Sequence, residues 1–134
     1  MKRPLAHPTV EAVKAIHAEV LAAHGGGEGV REGALLESAI GTPQATMMGK
    51  PLFTEPVEIA AAYLFYLCRN HPFVDGNKRT ALATCLVFLC ENNALPSEKL
   101  EVDAWELLIL DLAASRLDRE QTTKRLQKLL GHKE

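Results

Sequence analysis

The sequence predicts an all-α fold, a single-domain helical bundle in which a polar motif loop joins two buried central helices. Three observations carry this. Apolar residues make up 47% of the chain and aromatics only 5%, so the core-forming mass is Ala, Leu, Val and Ile, a composition that suits packed helices better than a sheet. Apolar residues recur at helical spacing between glycine, proline and asparagine breaks. Two segments, about 55–70 and 77–92, are apolar almost all round, and a helix apolar on every side is a helix buried on every side.

The first helix is expected from Thr9, whose hydroxyl can cap it after Pro8, through Val10, Val13, Ile16, His17, Val20 and Leu21. The run His24-Gly25-Gly26-Gly27 ends it, since glycine takes the left-handed conformation at little cost. A short helix follows from about Glu32 to Ile40, stopped by Gly41 and Pro43. The segment Gln44–Thr54 has neither period and reads as a loop, with a short hairpin over Gln44–Phe53 the most it allows; Met47, Met48 and Phe53 look exposed within it. The two central helices come next, through Tyr63, Leu64 and Leu67 in one and Ala81, Cys85 and Leu89 in the other. Asp103 can cap a helix reaching about Ser115, and Asp118 a last one reaching about Leu130. With no repeat, linker or low-complexity tract, 134 residues read as one domain spanning 1–134.

Several function classes are excluded at this level. The net charge of −2 argues against direct nucleic-acid binding, which calls for a basic domain or stripe. Charge is uneven, acidic over Glu91–Asp111 and basic over Arg116–Glu134, and solvated helix faces account for both runs. Cys68, Cys85 and Cys90 lie in apolar helical runs, an odd count without metal-type spacing, which fits reduced buried thiols in a cytoplasmic protein. Cys85 and Cys90, five apart on one helix, are badly placed for a bridge. Met1-Lys2-Arg3-Pro4 is followed by mixed polar sequence, so no secretory signal is expected. The apolar runs also fall well short of the roughly 20 residues of a membrane span.

Chemistry concentrates between the central helices, in Arg69-Asn70-His71-Pro72-Phe73-Val74-Asp75-Gly76-Asn77-Lys78-Arg79. Seven of these eleven residues are polar or charged, although a loop that only reverses the chain gains nothing from them. Pro72 disfavours helix at His71 and so frees the imidazole, while Phe73 is the residue that can pin the loop to the core. Gly76 turns the chain and permits close backbone approach, and Asn77 opens the next helix. Lys78 and Arg79 then sit at the positive end of the helix dipole, at a cost of roughly 0.3–1 kcal/mol each. A bound anion reverses that sign, and a polyphosphate is the natural one. Asp75 could hold Mg²⁺ beside it, and His71 could take a proton from an attacking hydroxyl. Taken singly, each residue has a plainer reading: His71 as a cap or core histidine, Asp75-Gly76 as a turn, Asn77 as a cap, Lys78 and Arg79 as a solvated face.

The stretch His71–Leu82 resembles the signature of the Fic/Doc (Fido) superfamily, HxFx(D/E)GNGRxxR in its adenylyl transferases. It departs at Lys78, in place of the second glycine, and at Leu82, in place of the last arginine. Both departures match the death-on-curing (Doc) branch, whose pattern resembles HPFxDxNKRTA. Gly33–Ala39 and Pro43-Gln44 are similar to that branch upstream, so the resemblance covers roughly residues 10–130. It implies a helical fold and the toxin of a type II toxin–antitoxin system: a kinase moving the ATP γ-phosphate to a threonine of elongation factor Tu, arresting translation. By matching position it implies His71 as base, Asp75 as the Mg²⁺ contact, and Gly76, Asn77, Lys78 and Arg79 as the phosphate cradle. Arg69, two residues before His71, is a weaker candidate for bracing the site or binding the phosphates. It implies a Phd-like antitoxin as partner, for which an apolar groove near Met47, Met48 and Phe53 would suit an amphipathic helix; the weightier alternative is that these three pack on their own domain.

Two rival functions stay open: an adenylyl transferase, against which Lys78 and Leu82 speak, and a non-catalytic domain that only binds an antitoxin. A metallohydrolase is remote, because His7, His17, His24 and His132 are scattered and His17 sits on a helix face where a structural role fits better.

Overall fold

Helix α1 spans Val10–His24 and starts where Thr9 caps it, its side chain accepting the Ala12 amide at 3.0 Å. It stops at Gly25, where φ is 76°. The computed structural model describes residues 4–96 and 101–131. Met1, Lys2 and Arg3 of the leader reading, His132, and the parts of the acidic and basic runs that fall on 97–100 and 132–134 lie outside the described residues. After α1 come α2 (Gly33–Gly41), a single 3₁₀ turn, the two-residue strands β1 (Thr46–Met47) and β2 (Lys50–Pro51), then α3 (Pro56–Asn70), α4 (Asn77–Glu91), α5 (Val102–Ala113) and α6 (Arg119–Leu129). The all-helical expectation holds, and the short hairpin is the one the Gln44–Phe53 loop allowed. Its turn residues Met48 and Gly49 both have positive φ, 54° and 79°, as a tight primed turn requires.

Helix α3 is the hub, packing against α2, α4, α5 and α6. Its Tyr63, Leu64 and Leu67 are fully buried, each apolar side chain contributing roughly 1.5–3 kcal/mol of burial. Helix α1 lies across α4 and α2. Several expectations need correction. Helix α4 is not buried on every side: Val87 and Cys90 face solvent, because α3, α1 and α5 leave that flank uncovered. Cys90 is therefore an exposed thiol, whereas Cys68 and Cys85 are buried. The weightier reading, that Met47, Met48 and Phe53 pack on their own domain, holds for Phe53, which is buried with the Arg119 guanidinium 4.7 Å over its ring, and fails for Met47 and Met48, which stay exposed. Finally, Asp103 does not cap α5; the capping position is Glu101, without a side-chain bond, and Asp103 lies in the first turn, where a carboxylate favours the dipole. Asp118 does cap α6, in a complete capping box with Gln121. No helix among the described residues is long and apolar enough to cross a membrane.

Candidate active site at the α3–α4 loop

Helix α3 ends at Asn70 because Pro72 follows, and His71 then turns into the left-handed region at φ 51° and ψ 53°. That conformation costs a non-glycine residue roughly 1–2 kcal/mol, so the surroundings must hold it. Arg31 does so. Its Nε donates to the His71 carbonyl at 2.8 Å and its Nη2 to the Asn70 carbonyl at 3.0 Å. The same segment adds main-chain bonds: the Arg31 and Glu32 amides donate to Pro72 O, and the Val74 amide donates to Gly29 O. Residues 29–32 thus run along the loop and fasten it, so that a cation caps the negative end of α3 and the imidazole is left exposed.

Asn77 does not cap α4. It is 5% exposed, and its side chain turns inward to make two bonds with Phe73, accepting the amide at 3.0 Å and donating to the carbonyl at 3.0 Å. Those bonds fix which end of the amide is which, so the nitrogen end faces His71 Nδ1 at 3.1 Å. In the neutral ring Nδ1 is the acceptor and Nε2 carries the hydrogen. Phe73 pins the loop as expected and is fully buried; the His17 ring stacks on it at 3.8 Å with an interplanar angle of 8°. His17 Nε2 also donates to the Asp75 carbonyl at 2.8 Å. The structural role expected of His17 is the one it has.

Asp75 is exposed, yet its carboxylate is held. Oδ1 accepts the Gly76 amide at 2.8 Å and Oδ2 the Gly27 amide at 3.3 Å. The Gly76 bond foremost, then the Gly27 bond, and more weakly the charges of His17 and Arg79, hold the carboxyl below the usual aspartate range. A persistently ionised, solvent-facing carboxylate with a lone pair to spare on each oxygen fits Mg²⁺, which takes one or two carboxylates together with substrate phosphates and waters. Gly26, at φ 125°, is required by close approach: a Cβ there would lie 2.9 Å from Asp75 Oδ2. Gly76, at φ 76°, turns its open side towards Val20 and Leu21 of α1, so its missing side chain lets the loop lie on that helix rather than making room for a ligand.

Helix α4 begins at Gly76 without any side-chain cap. Its first turn exposes Lys78 and Arg79, and neither enters an ion pair among the described residues. Arg69 is exposed as well, with its guanidinium drawn back 5.3 Å over the Phe65 ring. The loop and the helix opening therefore bring together His71, Asp75, Gly76, Asn77, Lys78 and Arg79, with Arg69 one turn back along α3. Sequence reasoning missed Arg31, Gly26 and Gly27; the glycine run was read only as a helix stop, and its two further roles, close approach at Gly26 and amide donation from Gly27, depend on the distant Asp75, 48 residues from Gly27. A cleft of about 360 Å³ lined by His17, Leu21, Gly26 and Gly29 adjoins this region. A larger one, about 520 Å³ between Val57, Leu95 and Leu130, lies at the other end of α3 and takes no part. Among the described residues no three His, Cys, Asp or Glu side chains converge on a common point.

The family model that matches the chain, over residues 7–89, is described as Fic/DOC family. "Toxin Doc" of Mycolicibacterium smegmatis is 38% identical over 104 residues, covering 78% of this chain and 80% of that one. "Protein kinase doc" of Escherichia phage P1 is 36% identical over 86 residues, covering 64% of this chain and 68% of that one.

Proposed function

We propose a Doc-type kinase toxin from one premise: the chain belongs to the Fic/DOC family, in its Doc branch. The reaction is transfer of the ATP γ-phosphoryl group to a serine or threonine hydroxyl of a translation factor, with a threonine of elongation factor Tu as the expected acceptor and translational arrest as the outcome. The observation that carries this reading is the unfinished start of α4. Its uncapped amides and two cations, unpaired among the described residues, would be completed by an anion, and the nearest side chains offer an ionised carboxylate and an imidazole. Lys78, in place of the glycine of adenylyl transferases, supports the kinase form of the family's chemistry.

In this scheme Lys78, Arg79 and the amides of the first turn of α4 hold the phosphates and offset the charge that builds up during transfer. Magnesium bound through Asp75 and the phosphates would neutralise further charge on the same oxygens. The acceptor oxygen bonds to the γ-phosphorus as the bond to the departing ADP breaks, and the hydroxyl proton goes to His71. Because the neutral ring offers its lone pair at Nδ1, towards Asn77, the acceptor hydroxyl must take the place of the Asn77 amide there, or the ring must turn. Asn77 thereby keeps the resting imidazole in one orientation. A Phd-like antitoxin is the expected partner that silences the activity.

Incubation with elongation factor Tu and ATP labelled at either the α- or the γ-phosphate tests this. Label from the γ-position on the factor is expected. Label from the α-position would make the protein an adenylyl transferase, and label from neither would favour a domain that binds without catalysing.

A further inference from the structure

His17 makes its two principal contacts inside the motif loop, although it lies 58 residues from Asp75 in sequence. A core histidine satisfied by some carbonyl is commonplace, so the identity of this acceptor decides what the residue does. The Asp75 carbonyl oxygen and the Gly76 amide belong to one peptide plane. His17 donates to the oxygen end at 2.8 Å, and Asp75 Oδ1 accepts the amide end at 2.8 Å. The plane is held at both ends, and the residue that follows it is a glycine at φ 76°, the residue type for which rotation of the plane costs least. If the His17 donor is removed, the carbonyl loses its partner, and rotation carries the Gly76 amide away from Oδ1. The parallel stack on Phe73 immobilises the preceding part of the loop from the same side. The glycine run that follows the same helix supplies the Gly27 amide to Oδ2. Every restraint on Asp75 from outside the loop therefore comes from α1 and the glycines that follow it.

We infer that His17 is a positioning residue for Asp75, barring rotation of the Asp75–Gly76 peptide and so keeping the carboxylate set between the Gly76 and Gly27 amides for a divalent cation carried by a nucleotide. The cation part rests on the kinase reading; the positioning part does not. Residues that orient a metal-binding group from behind change metal affinity by about 10–100-fold when lost.

Two variants separate the donor from the stack. His17→Phe keeps an aromatic face on Phe73 and loses the donor, whereas His17→Gln keeps a donor of similar reach and loses the stack. Melting by circular dichroism establishes that each folds, and His17→Met serves as the donor-free variant if Phe overfills the site. In the nucleotide-free protein, hydrogen exchange at the Gly76 and Gly27 amides is expected to accelerate in the donor-free variant and stay near the parent's rate in His17→Gln. By calorimetry with magnesium and a non-hydrolysable ATP analogue, the donor-free variant is expected to bind at least about 10-fold more weakly, with His17→Gln close to the parent. If the parent binds no analogue while the exchange pattern appears as described, the kinase reading falls and the positioning role stands. Exchange in the donor-free variant indistinguishable from the parent's would overturn the inference.

Discussion

The openings of α4 and α6 are finished in opposite ways. At α6, Asp118 accepts the Gln121 amide at 2.8 Å, and Gln121 returns the bond to the Asp118 amide at 2.9 Å. Thr122 closes the turn on the Asp118 carbonyl. At α4 the capping position is a glycine, the one residue able to cap has turned inward, and the first turn carries two cations at the positive end of the dipole. One chain therefore contains both the chemistry that completes a helix start and a start that lacks it. The second kind is braced from behind by the Asn77–Phe73 bonds and the α1 face, and on the proposed function an anion would make it locally favourable. A site of this kind is recognised by what is left unmade.

Variants can break this contrast, and the largest effect should come at His71. His71→Ala should lower phosphoryl transfer by about 10²–10⁴-fold while leaving the melting temperature near the parent's, since the side chain is exposed. Unchanged toxicity in a growth assay would remove catalysis from the mechanism. Next is Asn77→Ala, which leaves the buried Phe73 amide and carbonyl unpartnered and should cost about 1–3 kcal/mol in urea unfolding, as well as freeing the His71 ring. A matched pair then sharpens the comparison. Asp118→Ala should cost about 1 kcal/mol and leave nucleotide binding alone. Lys78→Glu should raise the stability of the nucleotide-free protein by about 0.3–1 kcal/mol and yet weaken nucleotide binding, a reversal of sign that a merely solvated lysine would not show.

The smallest effect is in acid. The Asp75 carboxyl is held below its ordinary value of 3.8, so the folded state binds that proton less readily than the unfolded chain does. Its contribution is present above pH 3.8 and lost as the pH falls through the lower folded value. Unfolding profiles of the parent and Asp75→Asn should accordingly differ above that range and converge below it.

The helices were legible in the sequence because each one has a local signature: Thr9 and Asp118 as caps, the His24–Gly27 stop, Pro72 after α3. The motif was legible because polar residues are conspicuous between two apolar helices. What escaped is non-local. Nothing adjacent to His17 or Arg31 signals that one reaches the Asp75 carbonyl and the other the carbonyls ending α3. The pattern along α4 is apolar through Val87 and Cys90, and only the packing of α1, α3 and α5 determines which flank of it is covered. Phe53 looked exposed in a polar loop because the residue that covers it, Arg119, belongs to the last helix. Asp103 was misread by two positions, which is the ordinary uncertainty of a helix end without a capping bond.

The exposed Cys90 has a practical consequence. Cys85 is fully buried with its thiol pushed up to about 12, and burial also raises Cys68, so neither supplies thiolate near neutrality. A maleimide dye should therefore attach at a single place. That place is thirteen residues along α4 from its opening, about 20 Å at the helical rise, far enough to spare the proposed phosphate cradle and near enough to report on it. The native chain thus comes with its own fluorescent reporter position, and docking of a nucleotide or an antitoxin could be followed without engineering a cysteine.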